Sequence, residues 1–250
     1  GALKKLAPGR PWYLIGLMGI GAAFFILSYY CAVAGWTFEY VWLALNNSFA
    51  GKSPEQLQSL FDNFKTGSFL PAFWMIIFMA MTIYIVVAGV KDGIEKYAKI
   101  LMPILLVLVL VLCVRSVSLP GASEGLKFIF QPDFSKINAE VILEALGQAF
   151  YSLSIGMGVL ITYGSYISKK DDLGSTAVIV SGADTLIAIL AGIAMFPAIF
   201  ALGMTPDQGE GLAFKVLPGV FMQMPGGYIF ALLFFLLLSV AALTSSISVL

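Results

Sequence analysis

Six long apolar runs, about residues 11–45, 70–90, 96–117, 139–168, 174–203 and 227–250, constrain this chain more than any other feature. About 20 mostly apolar residues make an α-helix long enough to cross the hydrocarbon of a bilayer. In lipid, a helix satisfies its own backbone amides and carbonyls, so such runs read as spans. Hydrophobic residues are 60% of the chain and charged residues 11%, against roughly a quarter charged in soluble domains. A water-soluble fold of 250 residues could not cover that much apolar surface. The expected fold class is therefore an all-α polytopic membrane protein, a single transmembrane domain over residues 1–250. The first run is long enough to tilt or to project beyond the bilayer.

The connections set the orientation. Lys4, Lys5 and Arg10, then Lys91, Lys96 and Lys99, then Lys169 and Lys170 fall on one side if the six helices alternate. These are eight of the 14 Lys and Arg residues, in the shortest connections, so this face is expected to be cytoplasmic, residues 1–10 included. The expected location is the cell membrane, a bacterial inner membrane crossed several times. The chain begins at Gly1 and stops at Leu250 inside an apolar run, which reads as an interior piece of a longer protein.

Composition also excludes functions. Net charge is zero, which argues against a nucleic-acid partner. The two cysteines, Cys31 and Cys113, lie inside apolar runs and read as small packed side chains rather than a disulfide or metal site. There is no histidine, so the usual general base and commonest metal ligand are both missing, and an enzyme is not expected.

Two outer connections carry structure of their own. "SPEQLQSLFDNF" (53–64) has an N-cap serine, a proline at the first helical position and an early glutamate, which predicts a short surface helix. "GEGLAFKVLPGVFMQMPGG" (209–227) is apolar yet broken by Pro218 and Pro225. It fits either a loop lying on the membrane or a re-entrant helical cap over an outer vestibule.

Four features bear on chemistry. In "YSLSIGMGVLITYGSY" (151–166), Ser152, Ser154, Gly156 and Gly158 interrupt a span near its centre. They allow close helix packing, or they unwind the helix so that half-helix ends and freed carbonyls can hold a zwitterion beside a cation. Asp184 is a lone carboxylate in the run 174–203; it marks an ion path, or an interfacial acid if the helix starts late. Thr244, Ser245 and Ser246 are consecutive hydroxyls that could coordinate sodium or bridge helices. Tyr29 and Tyr30 put phenol groups mid-helix, where each needs a partner.

Taken together, "GQAFYSLSIGMGVLITYGSY", "AALTSSIS" and "SYYCAVAGW", with the cap "GEGLAFKVLPGVF" and the charged turn "SKKDD" (168–172), resemble bacterial members of the neurotransmitter:sodium symporter family. The resemblance runs from about that family's third transmembrane helix to its eighth. It implies part of a LeuT-type inverted-repeat fold with an unwound mid-membrane helix, and sodium-coupled symport of amino acids by alternating access. Sodium is the only cofactor implied. By the same matching, Ser152 and Asp184 belong to a first sodium site; Ala241, Thr244 and Ser245 belong to a second. The substrate pocket would be Ile26, Tyr30, Tyr151, Ser152, Ser154, Met157, Ser245 and Val249, with Tyr30 on the substrate carboxylate and Tyr151 as an aromatic lid. Tyr166 matches an inner-gate tyrosine.

Two departures shape the expectation. Relatives that need chloride hold that anion beside the first sodium among neutral hydroxyls; Asp184 supplies the charge covalently, which implies chloride independence. "GMG" after the break implies a longer unwound stretch and room for an apolar or aromatic amino acid. Lipid is an expected partner, and a homodimer is compatible with the family. The alternatives are a proton- or sodium-coupled amino-acid carrier of another family with the same fold, or a membrane scaffold that transports nothing.

Overall fold

The computed structural model describes residues 5, 9, 11–89, 91–164, 167–168, 172–204, 206, 209 and 211–249, with the backbone alone at 91–98 and 162. Lys4, Arg10, Lys169, Lys170 and Tyr166 lie outside the described residues, so the orientation argument and the inner-gate tyrosine rest on sequence.

In chain order the helices are α1 (Tyr13–Leu45), α2 (Pro54–Thr66), α3 (Leu70–Val87), α4 (Lys91–Val117), α5 (Ala122–Phe130), α6 (Ala139–Ser152), α7 (Val159–Gly164), α8 (Leu173–Ala201), α9 (Leu212–Met222) and α10 (Gly227–Val249). A 3-10 turn, Phe134–Lys136, precedes α6. No strand occurs among the described residues. Among those residues, five helices are long and apolar enough to cross a membrane: α1, α3, the Lys99–Val117 part of α4, α8 and α10. The sixth expected span is interrupted, α6 ending at Ser152 and α7 starting at Val159.

Local sequence accounts for the smaller elements. Ser53 caps α2 in a full capping box: its hydroxyl accepts from the Gln56 amide, and the Gln56 side chain accepts from the Ser53 amide at 2.9 Å. The Ser53 hydroxyl also donates to Glu55 at 2.6 Å and holds that carboxyl below the usual carboxylate range. The surface helix expected at 53–64 is therefore present. The apolar stretch 209–227 forms α9, whose Phe214, Val216, Leu217, Pro218, Val220 and Phe221 are buried. The stretch is therefore a packed helix rather than a loop lying on the membrane.

The chain divides into two compact units. The first holds residues 1–29, 133–187 and 248–250; the second holds 30–132 and 188–247. The second contains the main core, an aromatic cluster of Trp36, Tyr40, Phe49, Phe61, Phe214, Phe221 and Phe235. Its spans are joined by hydroxyl bridges. Ser239 Oγ donates to Thr37 Oγ1 at 2.8 Å, tying α10 to α1, and Thr82 and Ser246 pair at 3.0 Å, tying α3 to α10. Within lipid such bridges and close backbone approach replace the hydrophobic drive that packs soluble helices. Gly35 shows the approach: a β-carbon there would lie 2.8 Å from the Met75 amide nitrogen, so α1 and α3 cross backbone to backbone. Cys31 and Cys113 are buried free thiols in this unit, as expected.

Candidate functional site

The break between α6 and α7 is built, not frayed. Ile155 N donates to Phe150 O at 2.8 Å, and Ser154 N donates to Tyr151 O at 3.2 Å. These two bonds, around a residue with positive φ, make a Schellman ending. The left-handed position in such an ending is usually glycine; here it is Ser154, with φ of 55°. Gly156 and Gly158 follow with φ of 86° and 83°, backbone that L side chains rarely adopt. The two glycines therefore hold the chain out of helix over residues 153–158, and their role is unwinding rather than packing within a continuous span.

Asp184 lies about three turns into α8, past the point where a late helix start would leave it at the interface. Its Oδ1 accepts a hydrogen bond from the hydroxyl of Ser152, the last residue of α6. A carboxylate inside a span is costly unless it faces protein, water or a partner. Here it is set on the final helical residue before the break. An anionic oxygen, a hydroxyl oxygen and irregular backbone thus share one place, an arrangement suited to a monovalent cation with oxygen ligands.

The same unit contains a cleft of about 420 Å³. Met157 and Val249, two of the expected pocket residues, both line it, with Gly156, Gly158, Gly19 and Ser248. Met157 is buried, whereas Tyr151 is 45% exposed. Gly19 of α1 runs close against the unwound stretch: a β-carbon there would sit 3.5 Å from the Met157 carbonyl oxygen. The structure thus pairs Ser152 with Asp184 and Met157 with Val249. Ile26, Tyr151 and Ser154 do not line the cleft.

In the second unit, the Thr244 hydroxyl donates to the Ala241 carbonyl at 2.8 Å, a bond back to the preceding turn of α10. Ser245, the next residue, is exposed. Ser246 behaves differently. Its hydroxyl is fully buried, bonded to Thr82 and to the Leu243 carbonyl, and serves helix packing. Tyr30, half-buried on α1, is also in this unit.

Sequence reasoning passed over one acid. Glu39 is buried in α1, and the Trp74 indole N–H of α3 donates to it. The rule that singles out Asp184, a lone carboxylate within an apolar run, also finds Glu39.

A sequence profile described as the Sodium:neurotransmitter symporter family matches residues 56–250. The chain belongs to that family. The crystal structure of MhsT in complex with L-phenylalanine superimposes with a TM-score of 0.93 and 48% identity, over 100% of this chain and 57% of that one. An uncharacterized sodium-dependent transporter, YhdH of Bacillus subtilis, is 39% identical over 99% of this chain and 55% of its own length. A similar transporter of Haemophilus influenzae is 38% identical over 95% of this chain and 53% of its own length. The chain spans about half the length of the curated relatives it matches. The family fold is thus the LeuT-type all-α fold with its unwound span, the protein is a membrane protein, and its relatives are transporters rather than enzymes.

Proposed function

We propose that the full-length symporter couples the inward movement of an apolar or aromatic amino acid to sodium, without chloride. The observation that carries this reading is the Ser152–Asp184 pair at the helix break. Sodium takes uncharged oxygens at little electrostatic cost, and one fixed carboxylate balances its charge where the dielectric is low. A site already balanced by Asp184 has no use for a mobile anion.

Ala241, Thr244 and Ser245 form the second sodium site in this reading, which rests on the family motif "AALTSSIS". Tyr30 holds the substrate carboxylate, Ser152 and Ser154 receive the amine, and Tyr151 closes over the pocket. Ile26, Met157, Ser245 and Val249 surround the side chain, and Tyr166 serves the inner gate. L-phenylalanine in the MhsT complex favours an aromatic substrate. The protein crosses the cell membrane several times, with residues 1–10 on the cytoplasmic face. Membership of the symporter family displaces a carrier of another family as the alternative. A scaffold without transport accounts for the apolar runs but not for an acid set on a purpose-built break.

The test is uptake of radiolabelled L-phenylalanine by the full-length protein in proteoliposomes. Uptake driven by an inward sodium gradient, and absent with potassium, supports the reading; sodium-indifferent uptake, or none for any apolar amino acid, rejects it.

A further inference from the structure

Gly19, near the start of α1, faces the main chain of the unwound stretch. A β-carbon at Gly19 would lie 3.5 Å from the Met157 carbonyl oxygen and 3.6 Å from the Gly158 α-carbon. Gly158 returns the contact, since a β-carbon of its own would lie 3.8 Å from the Gly19 α-carbon. Main chain therefore rests on main chain. Gly21, two residues on in the same helix, would meet no described atom within 4 Å, so the approach is particular to Gly19. Glycine inside a helix is less stable than alanine, so helix formation does not account for Gly19 either.

Gly19 and Gly158 both line the cleft that also holds Met157 and Val249. The distances at Gly19 are those of ordinary van der Waals contact, so a single methyl group fits there without displacing its neighbours. Anything longer points at the main chain of residues 157–158 and has two ways out. It pushes the unwound stretch off α1, carrying the buried Met157 with it, or it turns into the cleft and fills it. Either way the space beside Met157 and Val249 changes, and the largest substrate side chain is the most sensitive to that change.

We propose that Gly19 is a positioning residue for substrate size: by carrying no side chain it seats the Met157–Gly158 main chain on α1 and keeps room beside Met157 and Val249 for a large apolar side chain. This rests on the proposed binding of an amino acid at the helix break. Gly19 acts through the place of the unwound stretch and not by touching the substrate. Its signature is therefore a change in which amino acid is preferred, which a loss of stability alone does not produce.

Equilibrium binding of labelled L-phenylalanine and of labelled L-valine to the purified full-length protein in sodium tests it. Gly19→Ala is expected to keep the wild-type ratio of the two affinities within about twofold, because its methyl group fits. Gly19→Leu is expected to lower the preference for L-phenylalanine over L-valine at least about tenfold, the scale on which a pocket discriminates by size. Gly19→Val, with the same expected direction, takes its place should the leucine variant fail to fold. An unchanged ratio in the larger variant, an equal loss of both amino acids, or a Gly19→Ala ratio shifted as far as that of the larger variant overturns the proposal. Failure of both larger variants to fold overturns it too, since Gly19 would then serve packing alone. Wild-type protein that binds neither amino acid in sodium rejects the proposed function itself, and this inference with it.

Discussion

The Ser152 hydroxyl, at the last residue of α6, donates to the Asp184 carboxylate on α8, across 32 positions of sequence. The bond joins an unwound span to an acid carried by a continuous one. Neither feature alone defines an ion site. An isolated acid in a span is expensive, and a broken helix without a charged neighbour offers only dipoles. Together they give a carboxylate beside a hydroxyl at the end of a broken helix.

The consecutive hydroxyls of α10 divide by role. Thr244→Ala is expected to raise the sodium concentration for half-maximal uptake roughly tenfold, about 1.4 kcal/mol for one lost oxygen contact. Ser245→Ala acts in the same direction. Ser246→Ala leaves the sodium response unchanged and lowers the thermal midpoint, because it removes the bridge to Thr82, worth about 1 kcal/mol. Sodium titrations of uptake beside thermal melts of the purified variants separate the two effects. A sodium shift in Ser246→Ala, or none in Thr244→Ala, contradicts the division.

Ser154 occupies a left-handed position where an L side chain costs about 1–2 kcal/mol. Ser154→Gly is expected to raise the thermal midpoint while weakening L-phenylalanine binding, since the proposed amine contact is lost. Ser154→Val lowers both. Melts and equilibrium binding of labelled substrate check this; tighter binding in Ser154→Gly would remove the serine from the site.

These expectations show how unevenly the site could be read from sequence. Helix length, the break at 151–158 and Asp184 follow from local rules: a run too long for anything but a span, glycines where helix is hardest to lose, a charge where charge is dearest. The capping of α2 is equally local. The direction of a hydroxyl is not legible, because consecutive residues on a helix point about 100° apart and only the neighbouring span decides which one packs. Ser246 meets Thr82 and becomes glue; Thr244 turns back to Ala241. The stacking of Phe61 on Phe214 joins residues far apart in sequence, and no periodicity announces it.

Glu39 illustrates the same limit and yields its own test. It is buried near the end of α1, where it accepts from the Trp74 indole. Glu39→Leu leaves that N–H without this acceptor and is expected to cost about 1–3 kcal/mol. Glu39→Gln keeps a carbonyl oxygen in place and costs less. Thermal midpoints of the two variants measure the difference; equal losses would show that the indole contact contributes nothing.

The most direct measurement is sodium-driven L-phenylalanine uptake by the wild type and Asp184→Asn, in proteoliposomes, with chloride present or replaced by gluconate. The account predicts wild-type uptake that ignores chloride, and a variant whose uptake falls at least about tenfold without chloride, for a charge lost beside sodium at low dielectric. Uptake by Asp184→Asn that matches the wild type in both anions would contradict it.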